Sequence, residues 1–245
     1  MQISKHWHQI LGSHAGGVLS TAADCNVFAV ETSAGLVTFD AGAGIDPQVQ
    51  RRAFADAGFG DGARHLFLTH GHADHAGGTA AVVLRWGTSV HAGALTARWL
   101  ATGDEAKVSL PGARRAGLYG ADYVFGPVTV DHEVVEGVTI AIGDIEIEPI
   151  ATPGHSADHF SYLVRCDGGT TLIAGDALFA GGTVILQDTW DSSVADTCAS
   201  IRHLARLRFD ALLAGHGPPV LADTANHVAM AMERIDRLLP PYNLI

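Results

Sequence analysis

Cysteine is scarce: Cys25, Cys166 and Cys198 are odd in number, far apart and without Cys-x-x-Cys spacing. That argues against a disulfide framework and reads as reduced, mostly buried thiols. Aromatic residues make up only 7% of the chain, and basic residues number 15 against 26 acidic ones, a net charge of −11. With no run of lysine and arginine, nucleic acid and anionic membrane surfaces are poor partners. Nor does any stretch approach the roughly 18 apolar residues that a spanning helix needs. The opening Met1–His6 is not followed by an apolar run of signal-peptide length, so the expected location is a reducing cytoplasm. Disorder is excluded as the main state by 47% hydrophobic against 17% charged residues, and 245 residues suit a single domain.

What the chain has in excess is glycine, 29 residues, and histidine, 14. Glycine signals tight loops where backbone approaches something closely. Position matters more than number for the histidines.

Along the chain, Val27–Val30 and Leu36–Phe39 read as a hairpin turning at Thr32–Gly35. Asp46-Pro47 opens a helix over 47–57, with Asp46 as cap and Gly58 as stop. Leu66–Leu68 forms a short strand, followed by a helix over 78–86, and Ala94–Ala101 is a second helix; strand, loop, helix is an α/β unit. Residues 103–127 lose periodicity and carry Lys107, Arg114, Arg115, Tyr119, Tyr123 and Phe125, a mixture suited to a lid or pocket wall. Strand alternation returns over 128–150, as in Val138–Ile142 and Ile145–Ile150, and a hairpin over 160–174 turns at Asp167–Gly169. Ser193 opens a helix with an apolar face of Val194, Ile201, Leu204 and Ala205. The last helix covers 222–239, through Val228, Met232, Ile235 and Leu239. No linker interrupts this order, so residues 1–245 read as one domain.

His70-Gly71-His72-Ala73-Asp74-His75 sets three imidazoles and a carboxylate within six residues. Three further donors occur in like settings: Ile147–Ile150 leads to His155, Thr171–Ala174 to Asp176, and Ala211–Ala214 to His216. In each case an apolar strand ends and a metal-capable side chain follows on the loop. In α/β sheets, loops at the carboxyl ends of strands converge on one edge, where ligands bind. Neutral imidazole and carboxylate suit zinc, manganese or iron, and one carboxylate can bridge two such ions.

The motifs THGHADHAGG, TPGHS, AGD and AGHG, in this order and with Phe39-Asp40-Ala41-Gly42 ahead of them, resemble the metallo-β-lactamase superfamily over about residues 15–220. The resemblance implies an α/β fold, a four-layer αβ/βα sandwich with the metals at one rim of the sheets. Carried over residue by residue, it implies one divalent ion, zinc before manganese or iron, on His70, His72 and His155. A second ion falls to Asp74, His75 and His216, with Asp176 bridging and Asp40 supporting the first cluster. It also implies that a hydroxide shared by the ions is the nucleophile, with Asp74 as the catalytic residue that helps to orient it.

Within that superfamily, a bridging Asp176 disfavours the β-lactamases, which generally lack one. Gly175–Phe179 is similar to the hydroxyacylglutathione hydrolases. His159, four residues after His155, matches both those enzymes and the acyl-homoserine lactonases, although Phe179 stands where the lactonases carry tyrosine. The expected activity is hydrolysis of a small-molecule carboxylic ester, lactone or thioester, by a protein whose partner is that small molecule and which could pair as a homodimer. The alternatives are a mononuclear-iron persulfide dioxygenase, whose THxHADH and GDAL motifs are shared but whose Gly-Cys-Gly-Arg continuation is not, and a metal-binding protein without turnover. His159 and Trp190-Asp191 are further candidates for the pocket. His6, Trp7, His8 and His14 read as flanks of a first strand. His91, His132, His203 and His227 stand apart from any cluster.

Overall fold

A computed structural model describes residues 1–14 and 17–245, with the side chain of His14 outside the described part. The chain divides into two compact units, Met1–Val134 and Val135–Ile245. Each is a sheet with helices, an α/β arrangement.

In the first unit the strands are β1 (Trp7–Leu11), β2 (Ser13–His14), β3 (Gly17–Val18), β4 (Val27–Thr32), β5 (Gly35–Phe39), β6 (His65–Phe67), β7 (Ser89–Ala92) and β8 (His132–Glu133). The helices are α1 (Pro47–Asp56), α2 (Ala73–Ala76), α3 (Thr79–Trp86), α4 (Ala94–Thr102) and α5 (Leu110–Arg115). The sheet order is β1-β4-β5-β6-β7-β8, while β2 and β3 form a separate ribbon. The β4–β5 hairpin falls where the sequence places it, and β5 to β8 run parallel. Parallel strands are covered on both faces and read as continuous apolar runs. Leu66 and Leu68 join the core with Val82 of α3 and Trp99 and Leu100 of α4, while Phe67 points the other way and stacks on Phe39 with ring centroids 5.6 Å apart. Each such buried side chain contributes about 1.5–3 kcal/mol. Helix α1 begins as expected, with the Asp46 carboxylate accepting from the backbone N–H of Gln48 at 2.8 Å and Pro47 in the first turn.

Residues 103–127 are more ordered than their lost periodicity suggests. Pro111 sits in the first turn of α5, and Val108, Leu110, Tyr119 and Phe125 are buried in the unit's core. Arg114 forms a forked pair with Glu105 at 2.6 and 2.9 Å, which fastens α5 to the loop before it. Gly112 and the proline mask a helix of fewer than two turns, too short to show a period.

The second unit has β9 (Ile140–Ile142), β10 (Ile145–Ala151), β11 (Phe160–Cys166), β12 (Gly169–Gly175) and β13 (Ala211–Ala214), with α6 (Val194–Leu204) and α7 (Thr224–Asp236). The order is β13-β12-β11-β10-β9, with only the β12–β13 pair parallel. Leu172 and Ala174 of β12 pack with Ile201 and Leu204 of α6 and Val228, Ala231 and Ile235 of α7. The expected apolar faces are shorter at the ends. Val194 is exposed, because the first turns of α6 use hydroxyls instead: Ser193 caps Asp196, and Ser200 donates to the carbonyl of Pro153 at 2.6 Å. Leu239 is likewise exposed, since α7 ends at Asp236 and Leu238 takes a left-handed φ of 61°. No disulfide joins the cysteines; Cys25 is buried, but Cys166 and Cys198 are only half-buried. No helix among the described residues is long and apolar enough to cross a membrane.

Candidate metal centre

The first unit gathers His70, His72, Asp74 and His75 on the turn after β6 and on α2. His72 keeps extended backbone (φ −62°, ψ 151°) and precedes a single helical turn that carries Asp74 and His75. The imidazole centroids of His72 and His75 lie 4.6 and 4.2 Å from that of His70. The chain folds this tightly because Gly77 and Gly78 follow α2. A Cβ on Gly78 would strike the carbonyl of Ala41, and one on Gly77 would strike that of Ala43.

Asp40 sits at the end of β5 with a left-handed φ of 62° and is buried. Its carboxylate accepts from the Thr69 N–H (2.8 Å), the Thr69 hydroxyl (2.9 Å) and Nδ1 of His75 (2.8 Å). A carboxylate only accepts, so His75 carries its proton on Nδ1. The Thr69 hydroxyl spends its one proton on Asp40 and therefore accepts from Nδ1 of His70 at 3.0 Å. Both imidazoles thus present an unprotonated Nε2, the form that binds a metal. Thr69 is a residue that sequence reasoning missed, although it stands next to His70 in the motif.

Cys25 is a second neighbour that the sequence did not reveal. Its sulfur lies with Asp40 and His75 in a buried group whose ligand atoms are within 4.8 Å of one another. Burial pushes the Cys25 thiol up to about 12, so it stays protonated and is a poor ligand in that state. Tyr119 and Tyr123, expected in a pocket wall, are packed into this unit. Tyr119 is buried, and Tyr123 donates to the Ala43 carbonyl at 2.7 Å. Burial, with Asp74 nearby, raises both phenols above their ordinary range.

In the second unit, His155, Asp176 and His216 follow β10, β12 and β13 as the strand-end pattern expects. One oxygen of Asp176, Oδ2, lies 3.5 Å from Nε2 of His155 and 3.5 Å from Nε2 of His216. His155 and Asp176 are buried, while the His216 side chain keeps 35% of its surface. Nδ1 of His155 meets the carbonyl of Ile185 at 3.1 Å, so it is protonated and leaves Nε2 facing Asp176. The His155 loop is pinned from the segment that leads into α6. Asp191 accepts from the Ser156 hydroxyl (3.0 Å) and the Ala157 N–H (2.9 Å), and the Ser193 N–H donates to Gly154 O at 2.7 Å. Gly154 is required here, since its φ is +138° and a Cβ would collide with Thr197. Trp190, beside Asp191, is exposed.

His159 supports Asp176 through the backbone. The Asp176 N–H donates to Nε2 of His159 at 3.0 Å, so the ring proton is on Nδ1 and is given to the Thr152 hydroxyl at 2.8 Å. Thr152 continues to Ser161 at 2.9 Å, and Ser161 ends on the Ala174 carbonyl at 3.3 Å. Every donor in the row has an acceptor, which fixes a neutral His159 beneath the aspartate.

Trp7 is buried in β1 with its ring 5.8 Å from Phe39, and His8 pairs with Glu31 at 3.4 Å. Two histidines thought solitary are not. His91 on β7 stacks on His132 of β8 with centroids 4.6 Å apart, and its Nε2 lies 3.1 Å from Nδ1 of His65 on β6. Register explains the row, because His91 is paired with both Phe67 and His132, and no sequence motif records register. Burial first, then His132 and His65, lowers His91 to about 3, with Asp131 opposing. An unfolded histidine titrates near 6.5, so the folded chain loses stability as pH falls from about 6.5 towards about 3, by up to about 1.4 kcal/mol per unit. The Phe67 and His91 rings lie nearly parallel at 4.2 Å, so phenylalanine can continue the stack. Thermal unfolding of metal-free wild type and His91→Phe should therefore show a shallower loss of Tm between pH 7 and 5 in the variant. Parallel profiles would contradict the assignment.

Comparison with known proteins shows the family. A family model described as the metallo-beta-lactamase superfamily matches residues 20–216. Among curated proteins, the "Probable metallo-hydrolase YqgX" of Bacillus subtilis is 30% identical over 159 residues, 62% of this chain and 68% of that one. The "Hydroxyacylglutathione hydrolase" of Rhodospirillum rubrum is 30% identical over 65% of this chain and 52% of its own length. The share of a relative's length that is matched falls to 28% in a "Beta-lactamase-like protein 2 homolog" of Caenorhabditis elegans. A solved metallo-beta-lactamase from Cronobacter sakazakii aligns with a TM-score of 0.73 at 23% identity, covering 97% of this chain and 96% of that one, a likeness of fold.

Proposed function

Because the chain belongs to the metallo-beta-lactamase superfamily, we propose that it is a hydrolase that works with two divalent metal ions and cleaves a small-molecule carboxylic ester, lactone or thioester. In this reading His70, His72 and His155 hold one ion, zinc before manganese or iron, Asp74, His75 and His216 the other, and Asp176 serves both. The observation that carries it is the place of Asp176, one carboxylate oxygen 3.5 Å from both the Nε2 of His155 and the Nε2 of His216.

The donor set fits the ions. Five imidazoles and two carboxylates suit zinc, manganese or iron(II), and buried His70, His75 and His155 each hold their proton on Nδ1. Bound ions would supply Lewis acidity towards the substrate carbonyl and a hydroxide near neutral pH. The chain's own part is orientation: Asp40 and Thr69 fix the first imidazoles, the Ile185 carbonyl fixes His155, and His159 holds the backbone of Asp176. Asp74 keeps 27% of its side-chain surface, and its carboxylate is assigned the hydrogen bond from the attacking water.

The preference for esters, lactones or thioesters over β-lactams rests on the bridging carboxylate and on the name of the hydroxyacylglutathione hydrolase relative. A panel of these substrates, β-lactams and glutathione persulfide, run with the metal-loaded chain, tests it. Turnover of an ester, lactone or thioester is expected. Turnover of β-lactams alone, or oxygen uptake on persulfide with one iron bound, would overturn the assignment.

A further inference from the structure

We infer that Asn243, an exposed residue beyond α7, is a positioning residue for His155, fixing the backbone carbonyl that decides which imidazole nitrogen faces Asp176. The inference rests on the reading of His155 as a metal ligand.

Residues 184–186 lie between a 3-10 turn (Ala180–Gly182) and α6, outside both sheets. Their bonds come from the segment after α7. The Val184 N–H donates to the Tyr242 carbonyl at 2.9 Å, and the Leu244 N–H donates to the Val184 carbonyl at 2.8 Å. Asn243 supplies the rest with its side chain: Oδ1 accepts from the Leu186 N–H and Nδ2 donates to the Leu186 carbonyl, both at 3.0 Å. The amide thus stands in for one more residue of a pairing strand.

In extended backbone, successive residues direct their N–H and C=O groups to opposite sides. With Val184 and Leu186 both bonded towards residues 242–244, the carbonyl of Ile185 between them is directed away, and there it receives Nδ1 of His155. The Ile185 side chain is buried with Phe179 and Ala214, which limits rotation of the peptide from the other side. The clamping segment is itself tethered: Arg234 donates from Nε to the Pro240 carbonyl at 3.0 Å and lies over the Tyr242 ring at 4.0 Å. Loss of the Asn243 amide would free Leu186, let the Ile185 carbonyl swing, and leave His155 free to put its proton on either nitrogen.

The test uses the full chain, with Zn2+ competed against a chromophoric chelator, in Asn243→Ala, Asn243→Asp and His155→Ala. Partners that orient ligating histidines are worth about 10–100-fold in metal affinity, so Asn243→Ala should weaken Zn2+ binding about tenfold or more. Asn243→Asp keeps the acceptor for Leu186 N–H but not the donor and should fall between. The metal-free Tm of Asn243→Ala should stay within about 2 °C of wild type, as for a surface change, and the visible absorption of its Co2+ form should shift. Wild-type affinity in Asn243→Ala beside weakened binding in His155→Ala overturns the clamp. Wild-type affinity in His155→Ala overturns the reading beneath it and the clamp with it. A weakened Asn243→Ala whose metal-free Tm has collapsed also overturns it, because general unfolding then accounts for the loss.

Discussion

Asp176→Asn should cut turnover by about two orders of magnitude or more and lower the metal content below two ions per chain, while the fold survives. The substitution keeps the size of the side chain and removes its charge. Two divalent cations a few ångströms apart repel strongly in a site with little water, and a bridging carboxylate offsets part of that repulsion. Asparagine offers one neutral oxygen in place of the carboxylate, whose Oδ2 stands 3.5 Å from both His155 and His216. The backbone bond from residue 176 to His159 involves no side-chain atom of the aspartate and should persist, so metal-free unfolding should change little. Metal analysis, thermal unfolding and turnover on the best substrate of the wild type check this. Unchanged turnover with two ions bound would falsify the bridging role.

Asp40→Asn is expected to be nearly as damaging although the residue is assigned no direct metal contact. Its carboxylate accepts from Thr69 twice and from His75 once. An asparagine that keeps its oxygen on the Thr69 N–H turns its NH2 towards Nδ1 of His75. That nitrogen must then accept, which drives the ring proton onto Nε2, the nitrogen a metal needs. The alternative is two donors face to face in a buried site, at a cost of about 1–3 kcal/mol. We therefore expect metal affinity to fall about 10–100-fold, with a lower Tm for the metal-free chain. Competition with a chelator and calorimetry measure the two effects. A variant that binds metal like the wild type would show that Asp40 does not set the tautomer of His75.

The legible parts of this protein were local in sequence. His70 to His75 crowd into one turn and an adjoining helical turn, so their spacing alone marks them as a cluster, and the strand-end rule picks out His155, Asp176 and His216 as candidates because each follows an apolar run. The β4–β5 hairpin and the capped start of α1 were equally readable, since turn and cap residues act on their immediate neighbours. Features that depend on what a backbone atom meets across the fold were not readable. The Ile185 carbonyl that fixes His155 has no side-chain signature, and Asn243 acts from 88 positions beyond His155. The stacking of His91 needed the register of β6, β7 and β8. Helix α5 was hidden by Pro111 and Gly112, and of its neighbours, read as part of a lid or pocket wall, Tyr119 is buried in the core while half-buried Tyr123 is held by its bond to the Ala43 carbonyl, contacts that composition does not record. Val194 was misplaced for a related reason: α6 is held by hydroxyl bonds, from Thr197 to the carbonyl of its cap Ser193 and from Ser200 to the Pro153 carbonyl ahead of His155, which a hydrophobic pattern does not record.

The central claim is that seven side chains hold two ions. It is tested most directly by reconstituting the metal-free chain with excess Zn2+, removing the unbound metal and counting ions per chain by elemental analysis. Two ions per chain in the wild type, and fewer in His72→Ala, are the result expected. A wild-type content that never exceeds one, at any Zn2+ excess, would contradict it.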